Sequence, residues 1–257
     1  MKRVLLSAAG VLAFAAIYAQ GKTDLPKITD FPMKPEMTEI WEPEITVVTP
    51  GATTVDAPSD AIVLFDGKNL NAEWSNEAGT APGWKVADGA VTVVKGSGTI
   101  QTKRSFNDFQ LHIEWRSPAE VVGESQGRGN SGIFLQGLYE LQVLDNYNNR
   151  TYRNGQAGSF YKQYPPLVNV CKGPGVWQVY DVIYTAPRFN PNGTYFTPPM
   201  VTVLQNGVLV QNHVALRGPT EYIGIPEYFV KAHGAGPIIL QDHGNPVNYR
   251  NIWIREL

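Results

Sequence analysis

The chain has 257 residues, of which 43% are hydrophobic and 17% charged, and this composition allows one large hydrophobic core rather than two full domains. The formal charge of −2, with lysine and arginine scattered singly, argues against a nucleic-acid partner. Cys171 is the only cysteine, which excludes an internal disulfide.

The first twenty residues have the pattern of a secretory signal peptide. Lys2 and Arg3 precede an apolar run from residue 4 to 17, and Ala19 is a small residue of the kind found at cleavage sites. The run is shorter than the roughly 20 residues that a membrane-spanning helix needs, and no cysteine lies nearby to carry a lipid. We therefore predict that residues 1–20 are a signal peptide and that the protein is periplasmic or secreted, without stable membrane insertion.

Residues 21–59 contain prolines at short intervals, which prevent regular secondary structure from persisting. This segment is either a flexible linker or an extended N-terminal arm laid over the following domain. The apolar side chains of Ile40, Trp41 and Ile45 favour the arm.

From residue 60 onward, short runs of alternating apolar residues are separated by turn residues, a pattern that predicts β-strands. The predicted strands span 62–65, 84–86, 90–94, 109–116, 131–136, 139–144, 177–185, 200–205, 208–214, 237–241 and 249–256. Asp88-Gly89 and Asn206-Gly207, each between apolar runs, are typical of tight hairpin turns. So many short strands indicate an all-β domain of two packed sheets at residues 60–257.

Strand alternation sorts the polar side chains of three predicted strands by face. The three polar sets are His112, Glu114 and Arg116; Glu140 and Gln142; and Gln241 and His243. Each set is either the solvated outer face of a sandwich or the lining of a binding cleft. Carboxylates, arginine, histidine and amides, rather than lysine, threonine and serine, favour the cleft.

The loops add further candidates, each with an ordinary structural alternative. Asn130 lies in a glycine-spaced turn that either approaches a ligand or simply connects two strands. Asp242 and His243 end a strand beside a rigid turn, where His243 is either functional or bonded to the backbone. Residues 145–149 are either a site for a hard cation or a plain polar loop. Aromatic residues that either stack on sugar rings or pack in the core are Trp74, Trp84, Tyr147, Tyr161 and Tyr164.

Six ordered segments of the chain resemble the DUF1080 family, also called the 3-keto-disaccharide hydrolase domain. They are LFDGKNL at 64–70, EWR at 114–116, NSGIFL at 130–135, ELQVLD at 140–145, PPLVN at 165–169 and LQDHGNPV at 240–247. The resemblance covers about residues 60–257. It implies a two-sheet antiparallel jelly-roll sandwich of the concanavalin or laminin-G kind, exported by bacteria, that acts on glycosides whose 3-hydroxyl is already oxidised.

A ketone at C3 of the sugar acidifies the hydrogen on C2, so that a base can remove it and the anomeric oxygen can leave by β-elimination. This chemistry needs a base near C2, a donor or cation near the C3 oxygen and an acid at the leaving oxygen. We predict Glu140 or Glu114 as the base, Arg116 with Asn130 or a metal at the enolate, and His243 as the acid. Residues expected to bind the carbohydrate substrate are His112, Asn130, Gln142, Gln241 and Asp242. A divalent metal ion, the one cofactor considered, would draw its ligands from Asp145, Glu140 and His243.

Two other functions fit the same sequence. One is a lectin-like carbohydrate-binding module without turnover, because a jelly roll does not fix function. The other is a conventional two-carboxylate glycosidase, although the Glu-x-Asp-x-x-Glu strand pattern of jelly-roll glucanases is missing from the sequence. The concentration of ionisable groups favours the enzyme that acts on 3-keto sugars. The sequence does not indicate an oligomeric state.

Overall fold

The computed structural model describes residues 32–224 and 231–257, so the predicted signal peptide lies outside the described residues. The chain divides into two units between residues 47 and 48, and the first is described only from residue 32 onward. In the first unit the described part contains a 3-10 helix at Pro35–Thr38, and Ile40 and Trp41 are exposed. The choice between linker and arm stays a prediction. Within the described ranges, no helix has the length and apolar character needed to cross a bilayer.

The second unit is built almost entirely from β-strands. In the described ranges these are β1 Ile62–Phe65, β2 Trp74–Asn76, β3 Lys85–Ala87, β4 Ala90–Thr92, β5 Ile100–Thr102, β6 Phe109–Arg116, β7 Ser131–Leu135, β8 Tyr139–Val143, β9 Gln178–Thr185, β10 Arg188–Phe189, β11 Tyr195–Thr197, β12 Met200–Gln205, β13 Val208–Ala215, β14 Ile239–Leu240 and β15 Asn248–Glu256. Short 3-10 helices lie at Leu70–Ala72, Ser125–Gly127 and Arg153–Gly155.

The strands form two main antiparallel sheets, as predicted. Sheet A has the order β13-β12-β9-β6-β15-β4-β3, with β1 also paired to β15, and sheet B has the order β2-β5-β14-β7-β8. Strands β10 and β11 form a separate hairpin. Each of the eleven predicted strands overlaps an observed strand, although the strand predicted at 237–241 is observed only at Ile239–Leu240. Sequence reasoning missed β2, β5, β10 and β11.

The core lies between the two sheets because alternate residues of each strand point inward. Leu111 and Ile113 of sheet A and Ile133 and Leu141 of sheet B are fully buried in one apolar cluster. Buried tyrosines of sheet A donate hydrogen bonds across this core to sheet B, as in the 2.8 Å bond from the Tyr180 hydroxyl to the backbone oxygen of Gln142. Both hairpin predictions are confirmed, since each Asx-Gly pair has positive φ at both residues.

The outer edge of sheet B is covered by two loops that also form the walls of a cleft. Backbone amides of β8 and of the loop at 158–161 exchange hydrogen bonds, including Gln142 N to Ser159 O at 2.9 Å. The amide of Glu140 donates to Thr220 Oγ1 at 2.9 Å, which fixes a second loop at the same edge. The two loops therefore border the polar outer face of β8 on this edge.

Candidate active site

A cleft of about 700 Å³ lies over the outer face of sheet B. Its floor contains Glu140 and Gln142 of β8, because Tyr139, Leu141 and Val143 occupy the inward positions of that strand. Phe134 of β7 and Gln241, which follows β14, complete the floor. Strand alternation therefore placed Glu140, Gln142 and Gln241 correctly on one shared surface.

Glu140 lies on this floor, and its surroundings shift its pKa strongly. Only 5% of the residue is exposed, and its carboxyl group accepts no hydrogen bond from any residue that the structure describes. Burial raises the pKa of Glu140 from 4.5 to about 8. The carboxyl group reaches across Gly132, where a Cβ atom would stand 2.6 Å from Glu140 Oε1. Gly132 therefore leaves room that no other residue would leave.

Amide side chains line the same cleft as Glu140, and two of them have buried oxygens without partners among the described residues. Gln142 Nε2 donates to Gln126 Oε1 at 3.0 Å and to Gly155 O at 3.2 Å. Among the described residues, none donates to the buried Oε1 atoms of Gln142 and Gln241. Asn130 is also buried at the cleft, held by a 2.7 Å hydrogen bond from its Nδ2 to Gln126 O. The oxygens of Gln142 and Gln241 have no surface that a ligand could reach, so they belong to the packed floor of the cleft.

One wall of the cleft is aromatic and cationic. The hydroxyl groups of Tyr152 and Tyr161 lie 2.6 Å apart, and burial is the main cause of the raised pKa of both. Lys162 Nζ lies 4.7 Å from the ring centroid of Tyr222 and donates to the backbone oxygen of that residue. His243 is exposed and also lines the cleft. Lys162 is the single lysine or arginine among the described lining residues, and sequence reasoning missed it because loop residues carry no periodicity.

The structure separates the polar set of β6 from this cleft. His112, Glu114 and Arg116 lie on the outer face of sheet A, with the apolar core between them and sheet B. The expectation that Glu114 and Arg116 meet Glu140 and His243 in one hollow is therefore wrong. Alternation correctly assigned their face of β6 but could not show that β6 and β8 belong to different sheets.

The β6 set forms a network of its own. Arg250 Nε donates to Glu114 Oε2 at 2.6 Å, and His112 Nδ1 lies 2.6 Å from Asp181 Oδ1. Burial alone would raise the pKa of Glu114, but hydrogen bonds from His112, Asn251 and Arg250 lower it to about 2. Burial of His112 also opposes its protonation, but the neighbouring carboxylates of Asp181 and Glu114 outweigh burial and raise the pKa of His112. This network holds Glu114 ionised and paired, which suits a structural role.

The two aspartates among the candidates also lie outside the described lining of the cleft. Asp242 accepts backbone hydrogen bonds from Gly96 at 2.8 Å, Gly98 at 3.1 Å and Gly244 at 2.9 Å, so it holds a turn. Asp145 forms a 2.8 Å ion pair with Arg128. Asp145, Glu140 and His243 are not brought together as a ligand set. Within residues 32–224 and 231–257, no group of three or more His, Cys, Asp or Glu is placed to hold a metal ion.

The aromatic candidates lie in or against the core, in the cleft and, for Tyr147, exposed outside the described lining of the cleft. Trp74 and Trp84 are buried in the core cluster, and Tyr164 donates to the backbone oxygen of Ala215 at 2.9 Å. Of the five aromatic candidates, Tyr161 is the one found in the described lining of the cleft, where Tyr152 and Tyr222 join it.

Comparisons with known proteins identify the family and the fold of this chain. Residues 60–255 match the family described as the 3-keto-alpha-glucoside-1,2-lyase-like domain. A 3-keto-disaccharide hydrolase of Bacteroides thetaiotaomicron is 26% identical over 251 residues, which cover 79% of this chain and 82% of that protein. A solved structure from Parabacteroides distasonis ATCC 8503, provisionally named a glycosyl hydrolase, is 60% identical with a TM-score of 0.83, covering 88% of this chain and 97% of that one. A second structure from that organism, also provisionally named a glycosyl hydrolase, is 22% identical with a TM-score of 0.55, covers 77% and 94% of the two chains, and supports the fold alone.

Proposed function

Since the chain belongs to the family of 3-keto-alpha-glucoside-1,2-lyase-like domains, we propose that it cleaves 3-keto-glycosides in the cleft over sheet B. The resemblance to DUF1080 is confirmed, and the names of the relatives support an enzyme that acts on glycosides. The observation that carries the proposal is Glu140, a buried carboxyl group on the floor of a large cleft that has no charged partner among the described residues. We also propose that the protein is exported, as the sequence of residues 1–20 indicates.

The reaction proceeds by elimination, followed by addition of water in the hydrolytic case. A base removes the proton on C2, and the electron pair of that C–H bond forms an enolate with the C3 carbonyl. The enolate then collapses, a double bond forms between C1 and C2, and the bond from C1 to the leaving oxygen breaks as that oxygen gains a proton. Water adds to C1 and C2 regains a proton, which gives the free 3-keto sugar and the released alcohol. A lyase would stop at the unsaturated ketone.

Glu140 is the group best suited to act as the base. With a pKa of about 8, its ionised form is present near neutral pH, and burial makes that carboxylate a stronger proton acceptor than an exposed one. Lys162 replaces Arg116 as the cation for the enolate oxygen, because it lines the cleft and Arg116 lies on sheet A. His243 is assigned as the acid at the leaving oxygen, with Asn130 as a hydrogen-bonding partner of the sugar.

The two alternative functions are less well supported by the cleft. A conventional glycosidase requires a pair of carboxyl groups, and Glu140 is the single carboxylate in the described lining. A lectin-like module has no need for a buried, unpartnered carboxyl group, because burying it costs free energy that amides would not.

Product analysis in heavy water tests the proposal and its mechanism. The protein is incubated in D2O with a 3-keto-disaccharide, with the same unoxidised disaccharide, and with a chelator present or absent. We expect cleavage of the oxidised substrate alone, with deuterium at C2 of the released 3-keto sugar above the level found without enzyme. Cleavage of the unoxidised disaccharide, or binding without any product, would overturn the proposal. Loss of activity with the chelator would instead support a divalent ion in the reaction.

A further inference from the structure

A buried tyrosine stands directly opposite Glu140 at the edge of sheet B. The backbone amide of Tyr161 donates to Glu140 O at 3.1 Å, and the neighbouring residues Leu141 and Phe160 form an antiparallel β-bridge. Leu141 and Phe160 both belong to the apolar core. Because the residues next to an inward pair point outward, the side chains of Glu140 and Tyr161 share the outer face, with Cβ atoms about 5 Å apart.

A second tyrosine connects this pair to the wall of the cleft. The hydroxyl oxygen of Tyr152 lies 2.6 Å from that of Tyr161, and both residues line the cleft. The ring of Tyr152 lies against Gly155, where a Cβ atom would stand 2.0 Å from the Cε2 atom of the ring. Lys162 Nζ lies 5.8 Å from the ring centroid of Tyr161, so the two phenols and the cation belong to one wall.

The two phenols differ in the acceptors that they can reach. Tyr161 is 8% exposed, and among the described residues Tyr152 is the one hydrogen-bond partner of its hydroxyl group. A buried hydroxyl proton needs an acceptor, so Tyr161 donates to Tyr152. Tyr152 is 40% exposed, and its own proton is therefore available to an oxygen atom in the cleft. Burial and, to a smaller extent, the charge of Glu140 raise the pKa of both phenols, so both keep their protons at neutral pH.

We propose that Tyr152 is a further catalytic residue, which donates a hydrogen bond to the C3 oxygen of the 3-keto sugar, and that Tyr161 is a positioning residue for it. The inference rests on the proposed function, because it assigns a donor within that reaction. Since Tyr161 stands beside Glu140, the phenols and the base are neighbours. One sugar ring then presents its C2 hydrogen to Glu140 and its C3 oxygen to Tyr152.

The hydrogen bond from Tyr152 strengthens as the reaction proceeds. When Glu140 takes the proton from C2, the electron pair of that C–H bond forms a double bond between C2 and C3, and a carbonyl electron pair moves onto the C3 oxygen. The phenol keeps its proton and stabilises the new charge through a charge-assisted hydrogen bond. A donor that Tyr161 already holds in place needs no reorganisation at that moment, so it stabilises the transition state more than the ketone.

Phenylalanine at each position removes one hydroxyl group and keeps the ring. Tyr152→Phe should lower kcat for a 3-keto-glycoside by about 10² or more, with a smaller change in KM, because the lost bond is strongest in the transition state. Tyr161→Phe should lower kcat by about fivefold to tenfold, the effect of one neutral hydrogen bond. A residue that acts through Tyr152 adds nothing once that hydroxyl is gone, so the double variant should be no slower than Tyr152→Phe. Tyr147→Phe, exposed and outside the described lining of the cleft, is the matched control and should keep the wild-type kcat and KM.

The pH profile distinguishes a donor from a tyrosine that only supports the fold. 3,5-Difluorotyrosine at position 152 keeps the shape of the side chain and makes its phenol more acidic. Because an ionised phenol has no proton to donate, the plateau of kcat/KM above about pH 8 should end at a lower pH than in the wild type. The same replacement at position 147 should leave the profile unchanged.

Urea denaturation checks that each variant is folded, and the fluorinated protein carries the test should Tyr152→Phe unfold. With an active wild type, normal turnover by Tyr152→Phe, a change in KM alone, or an unchanged pH profile with difluorotyrosine at position 152 would overturn this inference and leave the proposed function intact. A double variant slower than Tyr152→Phe would remove Tyr161 from its positioning role. A wild type that cleaves no 3-keto-glycoside would overturn both the inference and the proposed function.

Discussion

Replacing Glu140 with glutamine removes the one carboxyl group that the structure buries on the cleft floor. The pKa of Glu140 rises from 4.5 to about 8 on folding, so between these pH values the folded protein holds a proton that the unfolded chain releases. The stabilisation that comes from holding this proton on Glu140 is fully present below about pH 4.5. It is lost as the pH rises through 8. Each pKa unit corresponds to about 1.36 kcal/mol, so the full change is about 5 kcal/mol.

Solvent at the mouth of the cleft screens part of this effect, and we expect about 2–4 kcal/mol between pH 5 and pH 9. Glu140→Gln has no titrating carboxyl group at this position. The free energy of unfolding of the variant minus that of the wild type should therefore be about 2–4 kcal/mol larger at pH 9 than at pH 5. Turnover of a 3-keto-glycoside should fall by a factor of about 10² to 10⁴, the usual contribution of a general base. In the wild type, kcat/KM should rise with pH up to about 8 and then level off.

Urea denaturation at pH 5, 7 and 9 measures the first effect, and initial rates measure the second. Glu77→Gln, a substitution at an exposed position, is the matched control and should keep the pH dependence of the wild type. A stability difference between Glu140→Gln and the wild type that is the same at pH 5 and pH 9 would show that the carboxyl group is not desolvated. Near wild-type turnover in the variant would remove Glu140 from the mechanism.

Three further predictions concern other residues of the cleft and of sheet A. Lys162→Met should lower kcat by about 10² or more, because a positioned cation near the enolate is lost; Lys162→Arg should restore part of it, and equal rates in both variants would argue against an electrostatic role. Gly132→Ala should abolish activity, because its Cβ atom would stand 2.6 Å from Glu140 Oε1; circular dichroism checks the fold, and an active, folded variant would contradict the assigned site. Glu114→Gln should lower the free energy of unfolding at pH 7 by about 1–3 kcal/mol while kcat stays normal, since it leaves Arg250 without its charged partner. That loss should diminish as the pH falls towards 2, where the wild-type carboxylate also takes up a proton, and an unchanged loss at low pH would refute the assignment.

The sequence predicted the strands well because their signal is local. Alternation over 109–116 and 139–144 identified the inward side of each strand, and Asp88-Gly89 and Asn206-Gly207 fixed two turns through backbone geometry that few other residue pairs adopt. The same local signal found Glu140, Gln142 and Gln241. It did not reveal Lys162 or Tyr222, because their positions depend on how loops return to the sheet edge.

Sheet membership is a long-range property, and this is why Glu114 and Arg116 were placed with the wrong partners. The partners of β6 are β9 and β15, whose residues lie far along the chain, whereas β8 pairs with its neighbour β7. Two strands with the same polar-outward pattern can therefore face opposite sides of a sandwich. A period of two residues determines a face but contains no information about which sheet the strand joins.

Glu114 and Glu140 show how their surroundings, rather than burial alone, determine what each carboxyl group can do. Both residues are 5% exposed, yet the pKa of one falls to about 2 and that of the other rises to about 8. Arg250 and Asn251 donate to Glu114 and hold it ionised, so its charge is already neutralised by its neighbours. Glu140 has no such donor in the described part of the chain. When Glu140 loses a proton, the negative charge that appears on its carboxyl group is therefore not balanced by a neighbouring positive charge. Only the second arrangement leaves a carboxyl group whose proton can be exchanged with a substrate near neutral pH. For this reason we propose a catalytic role for Glu140 on sheet B and a structural role for Glu114 on sheet A.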